Sequence, residues 1–325
     1  MNLSGFSQFV KGVYSKIDEV IDETADLAPK FPTYGLWDIK QADSLVYRTR
    51  GVVGLNYLEL VGDDEEMKKD EMYQGYQTEY TIQKEAHYVS ISDMLSRTRL
   101  EELEEKLNAV KQLMIASYRT LDRWAWQVPA NGFSTTDGSS NLPISRLDDS
   151  VSMYSTAHTS KVSGVSNRSN QVASNPVFSE ANLFTAIKML RDQLNGRGLG
   201  INWDGGIVLA VPTALHKSAY EALESQLRAE SMDNDINYWK GVETDLISST
   251  YLNNSVNSFT NADTSWYVFA KGAPYTGMKA VRLFDPEIVR EVDFLTQQIR
   301  VGVQFGYAFG YSNFEYMVAS DGSTS

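Results

Sequence analysis

The sequence contains no cysteine among its 325 residues. This absence excludes disulfides, thiolate metal sites and a cysteine nucleophile, and it fits a reducing compartment. No stretch approaches the ~18 consecutive apolar residues of a membrane span. The opening MNLSGFSQFVKGVYSK also lacks an apolar core of signal-peptide length. We therefore expect neither a secretion signal nor a membrane partner.

Positive charge is scarce as well. The chain has 29 lysines and arginines against 42 aspartates and glutamates, which gives a formal net charge of -13. A protein that grips nucleic acid through its phosphates needs a basic face. Acidic residues are spread along this whole chain, so we expect no tight or sequence-specific binding of DNA.

The sequence also lacks catalytic motifs. Its three histidines, His87, His158 and His216, form no HExxH pattern and stand beside no second ligand. A lone histidine of this kind is usually structural or exposed. GxSxG, SxxK and CxxC patterns are missing too. We therefore predict that the protein is not an enzyme and has no catalytic residues.

Two stretches only partly match ligand-binding motifs. GRGLG, residues 196–200, follows a predicted helix and lacks the GK[ST] ending of a phosphate loop, so it predicts a helix cap and turn. DNDINYWKGVET, residues 233–244, begins like a calcium loop but has Tyr238 in place of the required glycine and Thr244 in place of the required glutamate. We therefore predict no cofactor and no metal site.

The longest regular pattern is an apolar stripe in residues 92–126, with steps of three and four residues. Such a stripe predicts one helix of roughly 50 Å, which Ser92 would cap. We expect this helix to lie across a sheet, and a coiled-coil strand is the alternative. The stripe is made of Leu100, Leu103, Leu107, Val110, Met114, Leu121 and Trp124.

Before this helix, the chain alternates with period two. Residues 44–50 and 76–83 predict two long strands, and GDDEEMKKDEM, residues 62–72, predicts a solvated tip between them. A two-stranded hairpin is marginal alone, so we expect it to lie against another subunit. A cation site is the lesser alternative, because the carboxylates are consecutive. The predicted contact residues at the tip are Asp63, Asp64, Glu65, Glu66, Lys68 and Lys69.

The remaining segments predict an α+β protein. Residues 1 to about 32 are amphipathic, and this arm could dock equally on its own domain or on a neighbour. Residues 131–175, rich in Ser, Thr, Asn and Gly, predict an extended surface segment. A helix from Ser179 to Gly196, a buried strand at 206–211 and a helix at 213–227 follow. The last third predicts strands, and Gly302, Gly306 and Gly310 indicate bulges or close backbone approach.

This order of elements resembles the major capsid proteins of tailed bacteriophages, which have the HK97-like fold. The most specific stretch, residues 183–225, looks like the second helix of the peripheral domain followed by the first strand and helix of the axial domain. SMYSTAHTS (152–160) and QQIRVGVQFGYAFGYSNFEYMVAS (297–320) are similar to the Mu-type major head proteins. We therefore expect the closest relationship to be with that branch.

The resemblance implies five segments: an N-terminal arm (1–40), an extended hairpin loop (41–91), a peripheral domain with the spine helix and the Ser/Thr/Asn-rich insertion (92–200), an axial domain (201–280) and strands that return to the peripheral domain (281–325). It implies a self-assembling shell of pentamers and hexamers that encloses DNA, with scaffold, portal and decoration proteins as partners. An encapsulin-type compartment is the first alternative. A non-enzymatic surface-binding module of the virion is the second.

Overall fold

A computed structural model of the chain describes residues 10–19, 28–61, 63, 65–92, 100–137, 142–225, 238–254, 262–272, 277–293, 295–296 and 298–324. Its helices are α1 (10–19), α2 (Leu100–Ala130), α3 (Glu180–Arg191) and α4 (His216–Glu224). Its strands are β1 (Trp37–Gln41), β2 (Val46–Val52), β3 (Gln74–Thr81), β4 (Gln83–Ser92), β5 (Ile207–Pro212), β6 (Thr244–Ser249), β7 (Trp266–Ala270), β8 (Met278–Asp293), β9 (Gln298–Tyr311) and β10 (Met317–Ser320).

The long helix α2 lies across the first sheet, whose strand order is β1-β8-β9-β4. Leu107 and Val110 pack with Ile91 of β4 and Ile299 of β9. Farther along the helix, the Trp124 ring meets Phe305 edge-on at 5.4 Å between centroids. The predicted placement of a helix on a sheet is therefore found, and its apolar stripe is a core seam of this subunit.

The ends of α2 differ from the prediction. Ser92 does not cap the helix, because it belongs to β4 and pairs with Gln298. The helix continues past residue 126 to Ala130, with Pro129 in its last turn. At 31 residues it is about 46 Å long. Residues 93–99 and the side chains of Leu100 and Leu103 lie outside the described part of the chain.

The helix α1 docks on its own subunit, which decides between the two alternatives for the described part of the arm. Val13 and Ile17 are buried against the same cluster that holds Leu107. Asp18 also forms an ion pair with Arg290 of β8 at 2.5 Å. The predicted helical residues before 10 and after 19 lie outside the described residues.

The second sheet has the strand order β10-β7-β5-β6. All six residues of β5 are buried, as its uninterrupted apolar run predicts, and it pairs parallel with β6 and antiparallel with β7. The helices α3 and α4 contribute Leu183, Ile187 and Leu223 to its core. The Ser179 hydroxyl accepts a hydrogen bond from the Asn182 amide and caps α3 as predicted.

Three boundaries in this half of the chain were predicted wrongly. The helix α3 ends at Arg191 and not at Gly196, because residues 194–200 fold back into a turn of their own. The strand β8 is continuous where two strands were predicted, and a bulge near Pro286 absorbs the missing backbone donor. The strand β10 does not return to the first sheet, because it pairs with β7 in the second.

The described part of the Ser- and Asn-rich stretch at 131–175 is a surface segment only in part. Residues 161, 163–164 and 166–167 are exposed, whereas other parts are buried. Leu142, Ile144 and Tyr154 are buried in the main core. The Ser145 amide donates to the carbonyl of Phe309 at 3.0 Å, and the Ser145 carbonyl accepts from Tyr311 at 3.1 Å. The prediction failed because polar side chains here satisfy backbone groups locally, which allows an irregular chain to be buried.

His158 is the buried centre of this stretch. Its Nδ1 lies 2.7 Å from an Asp149 carboxylate oxygen and its Nε2 lies 3.1 Å from Asn170 Oδ1. The Asn170 amide nitrogen donates to the carbonyl of Met153, which fixes its oxygen toward the histidine. The ring stacks on Phe314 at 3.7 Å. His158 therefore holds the insertion against the chain that precedes β10.

Asp122 connects α2 to the segment before β1. Its carboxylate oxygen Oδ1 accepts hydrogen bonds from the backbone amides of Lys30 at 2.7 Å and Phe31 at 2.8 Å. Burial raises the pKa of Asp122, and the two amides act in the opposite direction. The side chain thus joins two distant segments at the cost of holding a carboxylate away from water.

We predict that Leu107→Asp prevents the subunit from folding. The substitution places a carboxylate in the buried seam, which costs several kcal/mol against a typical stability of ~5–15 kcal/mol. Soluble yield and thermal melting measure the effect. The control is Glu104→Lys on the exposed face of the same helix, which should be nearly neutral. Equal tolerance of the two substitutions would contradict a packed seam.

We predict that Asp122→Asn gains stability relative to the wild type as the pH rises above about 4. An acid whose pKa is raised by folding contributes stability that is present below the unfolded value of 3.8 and lost as pH rises through the folded value. Asparagine keeps the accepting oxygen without that loss. Urea unfolding from about pH 3.5 to 7 measures the difference.

The matched control is Asp43→Asn, which changes an exposed carboxylate in the same way. The free energy of unfolding of this control should not rise relative to that of the wild type as the pH rises. If the free energy of unfolding of the wild type instead rises relative to that of Asp122→Asn as the pH rises, the hydrogen bonds from the two backbone amides outweigh the effect of burial.

Candidate intersubunit surface

The chain between β2 and β3, residues 53–73, forms an extended loop that exposes large apolar side chains. Leu58 and Leu60 are fully exposed, at 100% and 101%. Exposed apolar groups in this number mark a site of interaction. The exposed set comprises Leu55, Tyr57, Leu58, Leu60, Val61, Met67, Met72 and Tyr73. Residues 62 and 64 are the only ones in this loop that lie outside the described part of the chain.

The charged residues predicted for the tip lie in the same loop. Asp63, Glu65, Glu66, Lys68 and Lys69 are all exposed, while Asp64 lies outside the described residues. The Lys68 ammonium donates to a carboxylate oxygen of Glu59, which links the two sides of the loop. Within the described residues, no group of three or more His, Asp or Glu side chains could hold a metal ion.

The base of the hairpin packs on its own subunit, which corrects the expectation that the whole hairpin lies against another. Strands β2 and β3 pair antiparallel, with Val46 opposite Thr81. Tyr76, Thr78 and Tyr80 are buried, and the Thr78 hydroxyl donates to the carbonyl of Tyr311 at 3.1 Å. Only the part beyond the strands lacks a core, so the available surface is the loop at 53–73.

The described side chains of the predicted spine stripe lie away from this surface. Leu107, Val110, Met114, Leu121 and Trp124 are buried within the subunit. They pack against the first sheet, whose two outer strands β1 and β4 are joined by the hairpin, and they are not available to a neighbour.

The other motifs of the sequence are exposed side chains or turns where they are described. His87 is exposed on β4 and His216 is the exposed first residue of α4. GRGLG forms a turn, with Leu194 opposite Gly200 and Gly198 at a φ of 80°. Residues 233–237 of the incomplete calcium loop lie outside the described part of the chain.

Sequence reasoning selected the charges at the tip and missed the apolar residues beside them. The signal was present in LNYLELV, residues 55–61, which is apolar but is not paired with a second strand. An apolar run without a partner in its own fold indicates a contact outside that fold.

In the described part of the chain, no helix combines the length and apolar content needed to cross a bilayer.

Comparison with known proteins identifies the class. A family model described as "Phage capsid protein" matches residues 75–320, which is most of the chain. The chain therefore belongs to the phage capsid protein family and is a structural component of the virion. A search of curated proteins gives no match.

Solved structures agree with the fold. The capsid of Ralstonia phage GP4 is similar with a TM-score of 0.55 and 13% identity, over 88% of this chain and 87% of that one. The capsid of Myoviridae phage XM1 is similar with a TM-score of 0.52 and 11% identity, over 91% and 92%. The mature capsid of bacteriophage PhiM1 is similar with a TM-score of 0.53 and 10% identity, over 87% of this chain and 83% of that one. The chain thus has the HK97-like α+β capsid fold.

Proposed function

We propose that this chain is the major head-shell protein of a tailed phage and that it assembles with copies of itself into pentamers and hexamers of an icosahedral shell. The extended loop carries this proposal. It projects from a folded base and displays Leu58 and Leu60 to solvent with no core of its own. The simplest partner for such a loop in a homo-oligomeric shell is a neighbouring copy of the chain.

The energetics suit a lattice of repeated contacts. Burying one leucine side chain stabilises by about 1.5–3 kcal/mol, so Leu58 and Leu60 together supply roughly 3–6 kcal/mol for each loop that docks. A single contact of that size is weak. Many such contacts in a closed shell stabilise one another, because each subunit is held by several neighbours at once.

The charge balance suits a container for DNA. A net charge of -13 disfavours close binding of phosphates, so the wall would hold packaged DNA without gripping it. Scaffold, portal and decoration proteins are the further partners that we propose. We also propose membership of the Mu-type branch, which rests on the likeness of residues 152–160 and 297–320 to those head proteins.

We predict that Leu58→Ser combined with Leu60→Ser abolishes shell formation while the subunit stays folded. Both side chains are fully exposed, so their loss should change the unfolding free energy by less than about 0.5 kcal/mol. Electron microscopy and sedimentation measure assembly, and thermal melting measures folding. The control is Lys217→Ser combined with Glu221→Ser, two exposed residues of α4 outside the loop, which should leave shells at wild-type yield.

Shells at wild-type yield from the double leucine variant would contradict this role of the loop. The contents of the wild-type shell decide between containers. Nucleic acid supports a phage head, whereas a co-purified cargo enzyme would favour an encapsulin-type compartment. A small oligomer that binds glycans and never closes into a shell would favour a surface-binding module.

A further inference from the structure

The turn at 194–200 has no role in the assembly surface described so far, yet it is built rigidly. The side-chain oxygen of Asn195 accepts hydrogen bonds from the Arg197 amide at 2.9 Å and the Leu199 amide at 3.1 Å. The Ser160 hydroxyl donates to the carbonyl of Gly196 at 2.5 Å. These bonds fix the turn to the body of the subunit and leave Arg197 at a defined position.

This turn touches the extended loop on the side where it leaves β2. Val53 is buried against Gly196, and a Cβ added to that glycine would lie 2.9 Å from a methyl group of Val53. A Cβ on Gly54 would lie 3.2 Å from the Asn195 amide nitrogen. The outgoing side of the loop therefore lies directly on the turn.

Arg197 holds the side of the loop that returns to β3. Its guanidinium lies 3.0 Å from Asp70 Oδ1, and it also donates to the carbonyl of Glu71. The guanidinium carbon is 5.0 Å from the centre of the Tyr73 ring. The Arg197 side chain is only 7% exposed, because these loop residues cover it.

Asp70 joins the two sides of the loop to each other. Its carboxylate accepts hydrogen bonds from the Asn56 amide at 2.7 Å and from the Glu71 amide at 2.8 Å. The Asn56 amide is the main reason that the pKa of Asp70 is lowered, and the Arg197 charge acts in the same direction. One carboxylate therefore bridges the outgoing side of the loop, its returning side and the fixed turn.

We propose that Arg197 is a positioning residue that sets the direction in which the extended loop leaves the subunit. Beyond the hydrogen bond from the Val53 amide to the carbonyl of Tyr73, at 3.0 Å, the two sides of the loop have left the β2–β3 ribbon. Beyond the end of the strand pairing, the contacts of Asp70 and Arg197 hold the two sides of the loop in place. This inference rests on the proposed function, because the direction matters only if the loop docks on a neighbour.

A role in stabilising the fold is the competing explanation, and the two make different predictions. The Asp70 side chain is 30% exposed and Arg197 is covered by the loop itself. Both charges therefore return to water when the loop is released, and the pair contributes little to global stability. Losing the pair should leave the melting temperature of the subunit unchanged. It should instead release the loop, because the amides of Asn56 and Glu71 depend on a carboxylate that would no longer be held.

The test uses Arg197→Glu, Asp70→Arg and the double variant in which the charges are exchanged. Hydrogen exchange of unassembled subunits should be faster by about tenfold at residues 53–56 and 70–73 in each single variant. In the exchanged pair the rate should return toward wild type at Val53, whose amide donates to the carbonyl of Tyr73. It should stay fast at Asn56 and Glu71, because the arginine introduced by Asp70→Arg cannot accept their hydrogen bonds. Lys217→Glu makes the same change of charge on the exposed face of α4 and should alter neither exchange at the loop nor assembly. Arg197→Lys keeps the charge without the fork and should fall between these limits.

Assembly is measured on the same proteins by electron microscopy. The single variants should form few or misshapen shells at an unchanged melting temperature, and the exchanged pair should recover them. Unchanged exchange at the loop, or faster exchange with normal shells, would overturn the positioning role while leaving the proposed function intact. Failure of the wild type itself to form shells would overturn the proposed function and this role together, whatever the exchange rates show.

Discussion

Burial of both faces of β9 is the constraint on which the rest of the subunit depends. From Phe305 to Tyr311 every residue of this strand is buried, whereas the preceding part alternates between buried and partly exposed positions. One face meets α2, where Trp124 contacts Phe305 and Phe309. On the other face, Ala308 packs with Tyr80 of β3. The long helix and the hairpin base are therefore held by opposite faces of a single strand.

This arrangement explains why the hairpin divides into two parts. Near β9, the hairpin shares a core, so Tyr76 and Tyr80 are buried and the strands are regular. Beyond Val53 that core is no longer within reach, and apolar side chains face solvent because no described part of the chain covers them. The free subunit therefore exposes a surface that only association can bury.

The sequence predicted what periodicity encodes and missed what depends on distant partners. The stripe from Leu107 to Trp124 specified a helix with one apolar face, and GIVLAV specified a strand with no exposed face. By contrast, the close approach of the Ser145 backbone to β9 depends on Gly310, where a Cβ would lie 2.2 Å from the Ser145 carbonyl oxygen. That contact joins residues far apart in sequence, so no local pattern could indicate that a Ser-rich segment is buried.

The assembly surface likewise had a part that local sequence patterns predict and a part that depends on residues far apart in the sequence. The hairpin was predictable because its two strands alternate, and the acidic tip was predictable because it could not be core. The ion pair between Arg197 and Asp70 could not be predicted, because a long helix and an irregular segment separate the two residues in the sequence. GRGLG was correctly predicted to be a turn, but only the fold places that turn against the loop.

The two sheets share one continuous aromatic core, in which Trp126 from α2 lies in the same cluster as Phe309 of the first sheet and Tyr267 of the second. Interiors packed in this way are stiff and transmit displacement with little loss. The shared core therefore resists movement of one sheet relative to the other. In a shell built from such subunits, a change of curvature would fall at the contacts between subunits. Each subunit would keep its own shape under pressure from the contents of the shell.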